Sequence, residues 1–204
     1  MAKNYNWRIK RDYYNLINKG IKNFEVRVGY PDIKKVQIKL RKITNDVRIF
    51  TLSSLVSNHN LFGKFAQAAF SVTDFICKDY PNHFQWYWTK EIPRVLNGTG
   101  EVVICTISDN IAGVAFLKKD GTERKICTFL VLEGYRGKHI ATKIFERSFK
   151  YLGTNKPLLT IAEYKVSMFE PFIKKYNWKL TQTMNKGYYN STSNELVYNG
   201  NLTE

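Results

Sequence analysis

The order and periodicity of the chain predict an α/β protein of the α+β kind, with a mixed, mostly antiparallel central sheet and flanking helices. Three observations carry that prediction. Strand-like runs at 102–107, 111–117 and 125–132 are joined by Ser108-Asp109-Asn110 and Lys119-Asp120-Gly121-Thr122, short turns of the kind that connect antiparallel neighbours. Helical patterns at 140–152 and 166–176 then bracket a short apolar run at 158–162, read as a buried strand. Two closing strands follow at 178–183 and 195–198. Three strands, helix, strand, helix and two strands imply helices packed on a mixed sheet.

The elements follow in order. Tyr13, Leu16 and Ile17 fall at i, i+3 and i+4 in 12–19, a short helix stopped at Gly20. Period-two alternation at 24–28 and 36–43 marks strands, with Gly29, Pro31 and Asp32 as a turn between them. A further strand is expected at 47–52. Phe62, Phe65, Ala66, Ala69, Phe70 and Thr73 share a helical face in 61–78. A second helix is expected at 84–96, kinked near Pro93. Its Trp86, Tyr87 and Trp88 are read as core anchors with some exposure, since adjacent aromatics cannot all face one way. In 140–152, Ala141, Ile144, Phe145, Ser148 and Leu152 line one face, and Lys143, Glu146, Arg147 and Lys150 the other.

Composition bounds the function. The chain has 204 residues, 44% hydrophobic and 15% aromatic, enough for one full domain with an appendage and a packed core. No apolar run approaches the ~18 residues of a membrane span, and the polar, basic opening at 1–10 does not read as a secretory signal. Cys77, Cys105 and Cys127 are widely spaced with no C-x-x-C pattern, fitting reduced core thiols in a cytoplasmic protein. The net charge is +15, and its distribution is uneven: residues 1–48 carry 13 basic and 4 acidic side chains, residues 49–204 carry 19 and 13. A polyanion such as RNA, or an acidic protein face, suits the front; a generally basic proteome is the alternative reading.

The chemistry concentrates at V-L-E-G-Y-R-G-K-H-I-A-T, 131–142, where a strand ends, a basic glycine turn follows and a helix begins. Such a turn aims free backbone N–H groups at one point, and the helix N-terminus adds about half a positive charge. Arg136 and Lys138 reinforce it, and Gly137 admits close backbone approach, so the segment suits a diphosphate.

Y-R-G-K-H-I-A closely resembles the acetyl-coenzyme A signature of the GNAT acetyltransferase superfamily. Arg136 stands at its first position, Ala141 at its last, and His139 where glycine is usual. The surrounding strand, signature, helix, strand, helix order is also similar, and the resemblance covers roughly 60–200. It implies an acyl-CoA N-acyltransferase-like fold, acetyl-CoA as co-substrate, no metal, and direct transfer of the acetyl group to an amine acceptor on a small molecule or protein. It further implies that Leu130, Val131 and Leu132 lie on the strand whose backbone bonds the pantetheine arm. Arg136, Gly137, Lys138, His139, Ile140, Ala141 and Thr142 would form the pyrophosphate cradle. The strand 158–162 would splay away to admit the thioester, with the helix 166–176 along the pantetheine. Many family members carry a tyrosine four residues before a Gly-Phe pair; here Asn177-Trp178 replaces the pair and Ile173 the tyrosine. Tyr164, Ser167 and Tyr176 are the substitutes for the thiolate acid, and Glu133 and Glu163 the candidate bases. His59 and His83 are read as structural.

The front segment Y-N-L-I-N-K-G-I-K-N-F-E-V-R-V looks like the opening of ASCH domains, with Gly20, Lys22, Glu25 and Arg27 matching, although a full domain of that kind is about twice as long as the space before the acetyltransferase part. The resulting division is 1–56, a basic ASCH-like segment, and 57–204, a GNAT-like domain. The expected function is N-acetyl transfer. The alternatives are a non-catalytic acyl-CoA-binding sensor and an RNA-binding module, the latter relying on Lys34, Lys35, Lys39 and Arg41. Aromatics near Trp86–Trp88 or Tyr188–Tyr189 are candidate surfaces for a homodimer.

Overall fold

A computed structural model describes residues 46–189 and 192–202. The expected helix at 12–19, the strands at 24–28 and 36–43, the ASCH-like positions and the four basic residues from Lys34 to Arg41 lie outside the described residues.

Val47–Thr51 is β1, followed by the 3-10 turn Leu52–Leu55 and α1, His59–Thr73. The Asn58 side chain caps α1 by accepting from the Leu61 N–H at 3.1 Å. One helix was expected over 61–78, but the coil tightens to 3-10 geometry at Asp74–Lys78. The Thr73 hydroxyl donates back to the Phe70 carbonyl at 2.9 Å, a local bond that competes with the helical ladder. The second expected helix is interrupted rather than simply kinked: α2, His83–Trp86, a π turn at Tyr87–Glu91, and α3, Ile92–Asn97. Tyr87 is fully buried and donates to the Ala66 carbonyl at 2.8 Å, while Trp86 and Trp88 are half-buried.

Next come β2 (Gly100–Ile107), β3 (Asn110–Asp120), β4 (Glu123–Val131), α4 (Ile140–Leu152), β5 (Leu158–Ala162), α5 (Val166–Tyr176), β6 (Leu180–Met184) and β7 (Glu195–Tyr198). They form one seven-stranded sheet in the order β1-β2-β3-β4-β5-β7-β6. Every neighbouring pair is antiparallel except β4 and β5, which run parallel. The sheet begins at Val47, which pairs with Ile107, so its first strand falls within the stretch that the sequence reading assigned to the front segment. The last strand, β7, has the bounds expected of it, whereas β6 is shifted from the expected 178–183. Trp178 is buried, its indole donating to the Asn155 carbonyl at 2.8 Å, and Asn177 ends α5 with φ +52°, so β6 starts only at Leu180.

Helices cover both faces, which is why β2 reads as a continuous apolar run. On one face Val103, Cys105, Ala115, Leu117, Ile126, Leu159 and Ile161 meet α4 and α5. On the other, Val102, Ile104, Val114 and Phe116 meet α1 to α3. Burying each large apolar side chain contributes about 1.5–3 kcal/mol. Gly113 is needed for the close approach of α4: an added Cβ would lie 2.6 Å from the Leu130 carbonyl oxygen and 2.8 Å from Ile144 Cδ1. Glu91, at the end of the π turn, is fully buried, with Arg94 3.7 Å away, and among the described residues neither carboxyl oxygen has a hydrogen-bond partner. Burial pushes its pKa up to about 8, the Arg94 charge offsetting only part of that. Among the described residues no helix is long and apolar enough to cross a membrane.

Candidate active site

The site begins with a fault in the sheet. β4 and β5 are joined by only two residue pairs, Lys125↔Leu158 and Ile126↔Leu159. The next residue, Cys127, is the extra one of a β-bulge: β3 pairs Phe116 with Thr128 and then Leu117 with Ile126. A bulge bends its strand and raises the local twist. The bend therefore falls where pairing with β5 stops, and beyond it the two parallel strands part.

The hydrogen-bond alternation of an antiparallel pair shows which backbone groups face the gap. The Leu132 N–H donates to the Ala112 carbonyl at 3.0 Å, so Leu132 bonds toward β3. By the two-residue alternation, Leu130 does too, whereas Phe129 and Val131 turn their N–H and C=O groups toward β5. Of the three strand residues singled out from sequence, Val131 alone offers its backbone to the gap; Leu130 and Leu132 do not. Phe129, which the sequence reading did not select, joins Val131. Its ring stacks on Phe145 of α4, with centroids 4.0 Å apart, and meets the edge of Phe169 of α5 at 6.1 Å. An aromatic wall thus lines the gap on the α4 face.

The 135–142 turn follows β4 directly. Gly137 has φ +73° and His139 φ +58°, two left-handed residues that fold the chain into the start of α4. The first helical bond there is from the Lys143 N–H to the His139 carbonyl, 3.2 Å. The N–H groups of Ile140, Ala141 and Thr142 precede it and have no acceptor within the helix. Arg136, Gly137, Lys138 and His139 are exposed, and Ile140 anchors the turn in the core. Lys138 Nζ lies 5.6 Å over the Tyr135 ring, and among the described residues neither Arg136 nor Lys138 has an ion-pair partner. Unpaired cations, a permissive glycine and free N–H groups at a helix start fit a diphosphate. Left-handed geometry at His139 also explains why glycine suits that position.

The two strands run parallel, so their C-terminal ends share one end of the gap. Glu133 lies just past β4, exposed. Glu163, Tyr164 and Ser167 lie just past β5 and are exposed too. The Glu163 carboxylate accepts from the Asn194 side chain at 3.1 Å. Tyr176 is elsewhere. It sits at the far end of α5, about 15 Å of helix from Val166, with its ring against Phe149 at 4.9 Å and Trp178 at 5.7 Å, and among the described residues its buried hydroxyl has no hydrogen-bond partner. Tyr176 is half-buried against the core and lies a helix length away from Tyr164.

The structure brings to this end a polar cluster that the sequence reading missed. Asp79 accepts from the Tyr164 hydroxyl at 2.8 Å and from Lys165 Nζ at 3.1 Å. Burial raises its pKa, but those two hydrogen bonds and the Lys165 and Lys78 charges outweigh it, and the net shift is downward. Beside it the Tyr80 hydroxyl donates to Glu195 Oε1 at 2.6 Å. Glu195 opens β7, pairs with Ala162 at the end of β5 and is 1% exposed, and among the described residues its buried Oε2 has no hydrogen-bond partner. Burial raises its pKa, with the Tyr80 hydrogen bond and the Lys165 charge opposing. Tyr80 is raised as well, by burial and then by that hydrogen bond. His83 is buried, with Nε2 3.1 Å from the Thr73 hydroxyl, and burial lowers its pKa. Among the described residues no group of three or more His, Cys, Asp and Glu is placed to hold a metal.

No protein-family model matches the chain, and no curated protein matches it either. Solved structures do. A GNAT-family protein from Desulfovibrio desulfuricans is similar at TM-score 0.55 and 10% identity, over 75% of this chain and 97% of that one. Ard1 from Thermoplasma volcanium is similar at TM-score 0.53 and 16% identity, over 75% of this chain and 94% of that one. A nourseothricin acetyltransferase matches at TM-score 0.45 and 11% identity, and the chain spans 65% of its length with 50% of its own. The fold is therefore the mixed, mostly antiparallel, acyl-CoA N-acyltransferase-like sheet with flanking helices found in GNAT proteins.

Proposed function

We propose that the protein is an N-acetyltransferase that carries an acetyl group directly from acetyl-CoA to an amine. One observation supports this best. A cationic turn leads into α4 beside two parallel strands that part after Ile126 and Leu159, with the Phe129 and Val131 backbone turned into the opening. The turn suits a diphosphate, and the unpaired strand edge suits the amides of a pantetheine arm. A thioester carbonyl in the gap would receive N–H donors from Phe129 or Val131 as charge develops on its oxygen. Holding both reactants there supplies orientation. Tyr164 and Ser167, past the end of β5, are the candidates to protonate a leaving thiolate, and Glu133 and Glu163 the candidate bases.

Titration of the full chain with acetyl-CoA, followed by thiol release in the presence of small amines and peptides, tests the reading. Micromolar binding with amine-dependent thiol release is the expected result. Binding without release from any amine would leave an acyl-CoA-binding protein and remove the transferase.

A further inference from the structure

The acetyl-transfer reading leaves one need unmet: the attacking nitrogen must shed a proton into the protein. The candidates read from sequence are surface groups at the strand ends. The structure holds a better placed pair on the opposite face of the sheet from α4.

Ile161 packs toward α4 and α5, so its neighbour Ala162 faces α1 to α3, and Glu195, paired with Ala162, faces the same way. β7 is the strand next to β5, roughly 5 Å from it. Ala162 is the β5 residue between Glu195 and the gap, and Tyr189, its ring 6.3 Å from that of Tyr80 and 5.7 Å from Lys125 Nζ of β4, borders the same region. A donor entering along α4 would reach the gap from one side of the sheet. An acceptor would then approach from the other, past the segment 79–83. Tyr80 lies on that approach, half-buried, its hydroxyl on Glu195 Oε1.

Among the described residues only one oxygen of the Glu195 carboxyl has a partner: Oε1 accepts from Tyr80. Oε2 is buried and has no hydrogen-bond partner among them, which costs stability that an apolar side chain would not forfeit. Such an orphaned group in a folded protein points to a chemical role. We propose that Tyr80 and Glu195 are the proton exit for the acceptor amine: Tyr80 takes a proton from the nitrogen as it passes its own to Glu195. The nitrogen lone pair closes the C–N bond and the C–S bond breaks with its electron pair on sulfur. The surplus nitrogen proton moves to Tyr80 Oη, the Tyr80 proton moves to Glu195, and the thiolate takes a proton from Tyr164 or Ser167, which solvent restores. Amine plus thioester gives amide plus thiol, and Glu195 returns its proton to solvent through Tyr80. Tyr80 touches the substrate; Glu195 acts through it.

The groups facing the pair are Asp79 beside Tyr80, Tyr164 and Lys165 from the turn between β5 and α5, and Tyr189 from the stretch before β7, its ring 6.3 Å from that of Tyr80. Burial raises the Glu195 pKa above its ordinary value; the Tyr80 hydrogen bond and the Lys165 charge oppose that, and Asp79 adds to it.

The test uses the full chain, acetyl-CoA and the best amine of the panel, with rates measured from pH 5 to 9. Glu195→Gln, nearly isosteric, should lower kcat about 100-fold or more, remove the acidic limb of the pH profile and leave acetyl-CoA affinity within about twofold. Tyr80→Phe should lower kcat by a similar factor, again without loss of acetyl-CoA affinity. A Glu195→Gln enzyme that keeps both its rate and its acidic limb overturns the proposal while acetyl transfer stands. If Glu195→Gln fails to fold, an unchanged kcat in Tyr80→Phe overturns it equally. A wild-type chain that transfers to no amine overturns the acetyl-transfer reading and takes this proposal with it.

Discussion

The turn at 135–142 and the crossing of Asp79, Tyr80, Tyr164, Lys165 and Glu195 sit at the same end of the sheet, yet different forces hold them. The turn is one contiguous stretch, exposed and cationic, with its geometry set by two left-handed residues and its seat by Ile140 and Gly113. The crossing draws on three segments, its bonds spanning 85 to 115 positions of sequence, and its acidic centre is 1% exposed. Charge in water costs little and is screened; charge under a fold is expensive and shifts pKa. A binding surface can therefore be built from local sequence. A buried proton relay needs the whole sheet to assemble it.

The largest effect that sharpens this contrast concerns buried acid on the α1–α3 face. Glu91 has its folded pKa raised to about 8, above its ordinary value, so its contribution to stability is full below the ordinary carboxylate range and is lost as pH rises through about 8. Unfolding by denaturant at pH 5 and pH 8.5 should show a loss of roughly 3–5 kcal/mol in the wild type, most of it absent in Glu91→Gln. Equal slopes in the two proteins would mean that burial does not govern this group.

Gly113→Val tests whether the turn depends on its seat. The new side chain must displace Leu130 or Ile144, and overpacking of this kind costs about 1–3 kcal/mol. A fall of several degrees in Tm is expected, with acetyl-CoA affinity falling too because α4 shifts. Arg136→Ala with Lys138→Ala is the converse change. Acetyl-CoA affinity should drop about 10- to 100-fold, more in low salt than in high, while Tm stays within about 1 °C because neither side chain is packed. Loss of stability there would break the distinction between an open turn and a buried crossing. The smallest effect is His139→Gly. Relief of left-handed strain should stabilise the fold by up to about 1 kcal/mol, a rise of a few degrees in thermal melts.

Local periodicity carried much of the fold. α4, β5 and α5 begin and end where apolar spacing placed them, because their own residues choose their faces. The π turn at Tyr87–Glu91 was not legible, since F-Q-W-Y-W is apolar on every side and shows no face from which an extra residue per turn could be inferred. The 135–142 turn was legible because glycine, cations and a helix start are adjacent in the chain. The bulge at Cys127 left no local mark: it is a mismatch between two strands, not a property of either. Tyr176 was selected for its nearness in sequence to the expected tyrosine position, and the helix rise carried it to the other end. Tyr80 and Glu195 have no sequence signal at all, because a hydrogen bond across 115 positions exists only once β7 has been laid beside β5.

The two-pair seam between β4 and β5 has a thermodynamic consequence. It divides the sheet into a panel of four strands and a panel of three, joined by fewer rungs than any other neighbouring pair. Transient opening at that seam costs less than at any other junction, so amide protons of β5 should exchange ahead of those in β2 and β3. A ligand whose amides bond to Phe129, Val131 and the facing edge of β5 would supply the missing rungs. Its binding energy would then be spent partly on joining the panels, and occupancy would be read as rigidity in strands that the ligand never touches.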